Sequence, residues 1–165
     1  MNHQGAAGQL IVRMDVAATA VFAIAAIAAA VIFDGPVMTV AAAVSLVLFF
    51  VGIAAFLWSF WNAVQRSRGE QVAVTQLYLL SGGVAPRTVR ITMTLALAVQ
   101  IVVGLGTAMA RPNAADGTPG NSLALGVLVP LFGFGMNGLW AAFHGRYRDR
   151  VSDNADSIGQ NEHHG

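Results

Sequence analysis

Four stretches of this chain are too apolar and too long for anything but a bilayer. Residues 16–33, 37–61, 91–110 and 123–143 contain no Asp, Glu, Lys, Arg or His at all. A hydrocarbon core about 30 Å thick is crossed by roughly 20 helical residues, and each run meets that length or nearly so. None alternates in the ten-residue pattern of a membrane β-barrel strand. Only 10% of the 165 residues are charged, against about 25% in a soluble domain. The expected fold is therefore all-α: a membrane-embedded four-helix bundle of two helical hairpins, forming one domain over residues 1–150.

The first run could be mistaken for a secretory signal. At 18 residues (16–33) it exceeds an h-region of about 7–15, and Asp34-Gly35-Pro36 leads it straight into a second span. It reads as an uncleaved helix. The chain has no Cys, so disulfides, thiolate metal ligands and cysteine nucleophiles are excluded.

Arginine placement sets the orientation. Arg13, Arg66, Arg68, Arg87, Arg90, Arg146, Arg148 and Arg150 would lie on one side of the membrane and Arg111 alone on the other. Positive residues near helix ends stay cytoplasmic, so both termini are expected inside, in a plasma membrane. Trp58, Trp61 and Trp140 fall at the same ends, where amphipathic rings favour the interface. Between helices, Asp34-Gly35-Pro36 is a tight turn and PNAADGTPGNS (112–122) a polar, turn-rich one. The loop 62–90 is the sizeable cytoplasmic one. Its segment EQVAVTQLYLL (70–80) is apolar enough to lie on the membrane or against the bundle, with its secondary structure ambiguous. The polar tail 151–165 is expected to be disordered.

The fourth run holds LFGFGMNGLW (131–140), whose Gly133, Gly135 and Gly138 match the dinucleotide fingerprint G-x-G-x-x-G. That loop works where a strand meets a helix and leaves backbone N–H groups free for a pyrophosphate. Inside a span those groups are committed to the helix, so the nucleotide reading fails and no cofactor is expected. At 100° per residue, Gly126, Pro130, Gly133, Asn137, Trp140 and His144 share one face, and Gly135, Gly138 and Ala142 the opposite one. Small residues let helices approach closely in lipid, so one face would pack inside the bundle and the other against a neighbouring helix or a second protein. Pro130 should kink the helix.

Met93, Ala96, Gln100, Gly104, Thr107 and Arg111 form a matching stripe on the third run. Gln100 lies about 15 Å past Arg90 and Asn137 about 10 Å before His144, within reach of long amides. A Gln100–Asn137 contact, direct or through water, is expected. The run boundaries leave no ionisable group at depth, with Asp15 capping the first helix and Arg111 snorkelling outward. Proton-coupled transporters and intramembrane metalloenzymes generally need such groups, so neither catalysis nor a metal site is expected. His163, His164 and His3 lack a fixed third ligand. Arg66, Arg68, Arg87, Arg90, Arg146 and Arg148 are the candidate contacts to anionic lipid headgroups. No nucleic-acid partner is indicated.

The phrases LALAVQIVVGLGTAMARP (95–112) and GVLVPLFGFGMNGLWAAFHG (126–145), and more loosely LWSFWNAVQRSR (57–68), resemble small four-helix integral membrane proteins of actinobacteria whose function is unknown. The resemblance implies location and helix number, and no activity. The function expected by elimination is an accessory or scaffold subunit of a larger membrane or cell-envelope complex, using the second small-residue face. The alternative is a small oligomeric transporter or channel with a polar path near Gln100 and Asn137. A lipid-processing enzyme has no nucleophile–base pair to support it.

Overall fold

The computed structural model describes residues 3–113, 117 and 120–149. The expected tail 151–165, with His163 and His164, lies outside them. The described chain is all-α, and four of its helical segments are long and apolar enough to cross a membrane. In order they are α1 (His3–Ile32), α2 (Gly35–Arg66), β1 (Glu70–Gln71), α3 (Val74–Leu79), α4 (Arg87–Ala110), a 3-10 helix (Ser122–Leu128), α5 (Pro130–His144) and β2 (Arg148–Asp149).

The helices run past the apolar boundaries. Helix α1 starts at His3, and Arg13 and Asp15 lie within it instead of before it. Nothing between Gly8 and Phe33 breaks a helix, and Arg13 projects outward from the bundle. Phe33 adopts a left-handed φ of 51° and turns the chain into α2, whose first turn accepts Pro36. Helix α2 continues five residues beyond Trp61 to Arg66, and α4 starts four residues early, at Arg87.

The fourth span is not one kinked helix. Residues Ser122–Leu128 wind as a 3-10 helix, started by Asn121, whose Oδ1 accepts the Leu123 N–H at 2.8 Å. At Pro130 the winding changes to α. Proline has no N–H to give the preceding turn, so the change of winding falls where the ladder is already interrupted.

The two hairpins, α1–α2 and α4–α5, lock by pairing parallel neighbours. Helix α2 makes its broadest contact with α5, and α1 with α4. The α2–α5 seam is built from small residues on both sides. Ala41, Ser45, Gly52, Ala55, Ser59 and Ala63 form the buried stripe of α2. A Cβ on Gly52 would lie 2.6 Å from the Phe132 backbone, and one on Gly135 would lie 2.7 Å from the Gly52 carbonyl. Backbones this close gain dispersion contacts that lipid cannot match. The face of Gly135 and Gly138 is therefore consumed by α2 and is not left for a second protein.

The segment 70–80 resolves into β1, paired antiparallel with β2, and α3, which packs on α5 through buried Leu77 and Tyr78. Of its two expected positions, it takes the one against the bundle.

Candidate functional site

The site begins with one residue, Asp15. It is 0% exposed, sits nine residues inside the apolar span of α1 that starts at Ala6, and so lies about 14 Å along it. One turn on, Thr19 shares its face, followed by Phe22, Ala26 and Ala29, all buried. Spacings of 4, 3, 4 and 3 carry this stripe back through Asp15, the signal that a boundary drawn on charge alone conceals.

Gln100, also 0% exposed, meets this stripe from the middle of α4. Its Nε2 donates to Thr19 Oγ1 at 2.7 Å and to Asp15 Oδ1 at 3.5 Å. Its Oε1 accepts the Gly133 N–H at 3.1 Å. That N–H lies in the first turn of α5, where backbone donors lack intrahelical partners. Gln100 thus caps α5 from a neighbouring helix while its other end binds α1.

Asn137 stands one turn further along α5, 0% exposed, and donates from Nδ2 to the Tyr78 carbonyl at 2.9 Å. The direct form of the expected Gln100–Asn137 contact is absent among the described residues, where each amide has its own partners. The stripes of α4 and α5 do face each other, but one turn out of the expected register. Gly104 packs on the Gly126 carbonyl and Leu97 on Gly133, which brings Gln100 level with Gly133.

Four polar atoms in this interior are buried with no hydrogen-bond partner among the described residues: Asp15 Oδ2, Asn137 Oδ1, Trp140 Nε1 and His144 Nδ1. The Trp140 and His144 rings lie tilted by 31° with centroids 5.7 Å apart, and a Cβ on Gly8 would lie 3.3 Å from Trp140 Nε1 and 3.1 Å from His144 Cδ2. Trp140 is therefore a core residue and not an interfacial anchor, unlike the exposed Trp58 and Trp61. Asn137, Trp140 and His144 follow one another at spacings of 3 and 4 on one face of α5, and Gly8, two turns before Asp15 on α1, packs against the last two. Buried polar atoms without partners are uncommon and mark sites where water, an ion or a ligand belongs.

The arginines divide. Arg66 is engaged by the protein: Nη1 donates to the Ala142 carbonyl at 2.9 Å, Nη2 to the Gly145 carbonyl at 3.4 Å, and Glu70 pairs with it at 2.9 Å. It caps the C-terminus of α5 instead of reaching for lipid. Arg111 donates to the Ala30 carbonyl at 3.1 Å and lies over the Phe33 ring, tying α4 to α1. Arg68, Arg87, Arg90 and Arg146 are exposed and form no ion pair among the described residues; Arg148 joins β2 through its backbone. Tyr147, packed over Arg66 at 4.9 Å, has its phenol pushed up to about 12, chiefly by burial.

Asp15, Thr19 and Tyr78 are the site residues that apolar-run reading misses. No protein-family model, curated protein or solved structure matches the chain.

Proposed function

We propose that this chain is a small transporter or channel in which Asp15, with Thr19, Gln100 and Asn137, binds a small cation or a proton midway through the bundle. One observation supports the reading above all. A carboxyl with an unpartnered oxygen is buried inside the first span and linked through Gln100 to the first turn of α5, just past the break in the fourth span, and no cationic side chain pairs with it among the described residues. A charged side chain at mid-membrane costs about 2.5–3.5 kcal/mol or more, and is retained where it serves an ion path or relay. Discontinuous helices beside a midplane site are the usual frame of such paths.

The subunit reading rests on three grounds: no chemistry at depth, short loops, and a spare small-residue face on the fourth span. Asp15 speaks against the first and the packing of Gly135 and Gly138 on α2 against the third, which favours the transport reading. The arginine asymmetry supports a plasma-membrane orientation with both termini cytoplasmic, and the resemblance to small actinobacterial membrane proteins agrees with it.

Flux of protons, Na⁺ and K⁺ into liposomes carrying the purified chain tests the reading. Transport of one of these ions, lost in Asp15→Asn with the helical content unchanged, is the expected result. No flux above protein-free liposomes, together with a stoichiometric heterologous protein co-purified from native membranes, would return the subunit reading.

A further inference from the structure

We infer a second, independent site: a groove for one anionic phospholipid at the arginine-rich end of α4, facing the bilayer. It does not rest on the transport reading. A cavity of about 460 Å³ opens between the 79–82 turn and the first turns of α4. One wall is aliphatic, from Leu79, Ile91 and Leu95, all exposed. The other is polar, from Ser81, Gly82, Arg90 and Thr94.

The polar wall is unoccupied by the protein's own groups. Among the described residues Arg90 has no acidic partner, in contrast to Arg66, and the Ser81 and Thr94 hydroxyls donate no hydrogen bond. Among the described residues the Gly82 N–H finds no backbone acceptor, and Gly82 holds a left-handed φ of 66°. A guanidinium, two hydroxyls and the Gly82 amide around one hollow match the oxygens of a phosphodiester.

Leu95 is also a wall of a second cavity of about 360 Å³, between α1 and α4, lined mainly by Val16, Ala20, Ala23, Ala96 and Val99, with Thr92 and Thr19 of the Asp15 stripe completing it. From Arg90 to Val99 the helix rises about 14 Å, close to one leaflet of a core about 30 Å thick. Headgroup and acyl chain thus have adjoining places, the polar one at the membrane boundary and the apolar one leading inward. Charge and depth together point to a lipid with a net negative headgroup, and not to a zwitterionic one.

The experiment is native mass spectrometry of the chain released from nanodiscs of equal phosphatidylglycerol and phosphatidylcholine. One phosphatidylglycerol retained per chain is expected. Arg90→Gln should lower that occupancy about fivefold, the worth of one guanidinium near an anionic surface. Leu95→Trp, which fills the shared wall, should lower it as well, while Arg87→Gln, outside both cavities, should not. Equal retention of phosphatidylcholine would overturn the proposal. So would equal losses in Arg87→Gln and Arg90→Gln, which would indicate surface charge alone. Displacement of the lipid by excess inorganic phosphate would overturn the acyl-chain half and leave only an anion pocket.

Discussion

The amide oxygen of Gln100 occupies the space where Gly133 would carry a side chain. A Cβ there would lie 2.6 Å from Oε1, and the Gly133 N–H donates to that same oxygen across 3.1 Å. The glycine is thus required by a side chain on another helix, and the polar link between α1, α4 and α5 passes through it.

Gln100→Leu should therefore be more costly than a single lost hydrogen bond, because it strands the Gly133 N–H and leaves Asp15 with no donor. Buried unsatisfied groups cost about 1–3 kcal/mol each. In a double-mutant cycle followed by denaturant unfolding in micelles, Gln100→Leu and Thr19→Val should couple by about 0.6–1.7 kcal/mol. Gln100→Leu and Asn137→Leu, which share no partner, should add to within about 0.5 kcal/mol. Coupling in the second cycle and additivity in the first would reverse the assignment.

Two glycines in the same membrane should respond oppositely to alanine. On Gly138, a Cβ would clash with Ser59 Oγ and approach Tyr78 Cε1 to 2.8 Å, whereas Gly106 has nothing within 4 Å. Overpacking costs about 1–3 kcal/mol, while alanine in an open helical position is favoured by up to about 1 kcal/mol. Gly138→Ala should lower the melting temperature in detergent and Gly106→Ala should leave it level or raise it. An unchanged melting temperature in Gly138→Ala would show that the α2–α5 seam is looser than its geometry.

Much of this was legible from the residues. The stripe Met93, Ala96, Gln100, Gly104 and Thr107 is buried as its spacing requires, because helical periodicity is a local property of the chain. The register between two stripes is not local. It depended on Gly104 nesting against Gly126 and on the 3-10 turn before Pro130, both consequences of three-dimensional fit. Asp15 was hidden for another reason. A helix in lipid is conventionally bounded by its first charge, yet the buried face of α1 runs through that charge unchanged. Tyr78 enters through its backbone carbonyl, for which no residue type gives a signal.

The chain has two tyrosines, and both phenols are held above their ordinary range, Tyr78 chiefly by burial and Tyr147 to about 12 from 10.0 by burial and the nearby Glu70, partly offset by Arg66. Between about pH 10 and 12 the unfolded chain gives up a Tyr147 proton that the folded chain keeps, so stability falls as pH rises through that window. Absorbance at the phenolate band should show no tyrosine titrating at its ordinary pH in the folded protein and both doing so after denaturation. Tyr147→Phe should flatten the alkaline slope. A folded-state titration at the ordinary value would mean that the 142–149 segment is not packed on Arg66.

Arg66 allows two contributions to be separated by size. Its pairing with Glu70 is partly solvated, with side-chain exposures of 31% and 29%, and such pairs contribute about 0–1 kcal/mol. Its bonds to the Ala142 and Gly145 carbonyls satisfy acceptors at the C-terminus of α5, where a cation also meets the favourable end of the helix dipole. Hydrogen bonds from a charged donor are worth about 1.5–3 kcal/mol. Glu70→Gln should therefore cost less than about 1 kcal/mol and Arg66→Gln about 2–3 kcal/mol. Arg66→Lys should fall between, because an ammonium keeps the charge but loses the planar fork that reaches two carbonyls together. Hydrogen exchange at residues 142–147 reports on the same contacts: Arg66→Gln should accelerate it and Glu70→Gln should not. Equal costs for the two variants would instead assign the stabilisation to the ion pair, with the carbonyl contacts contributing little.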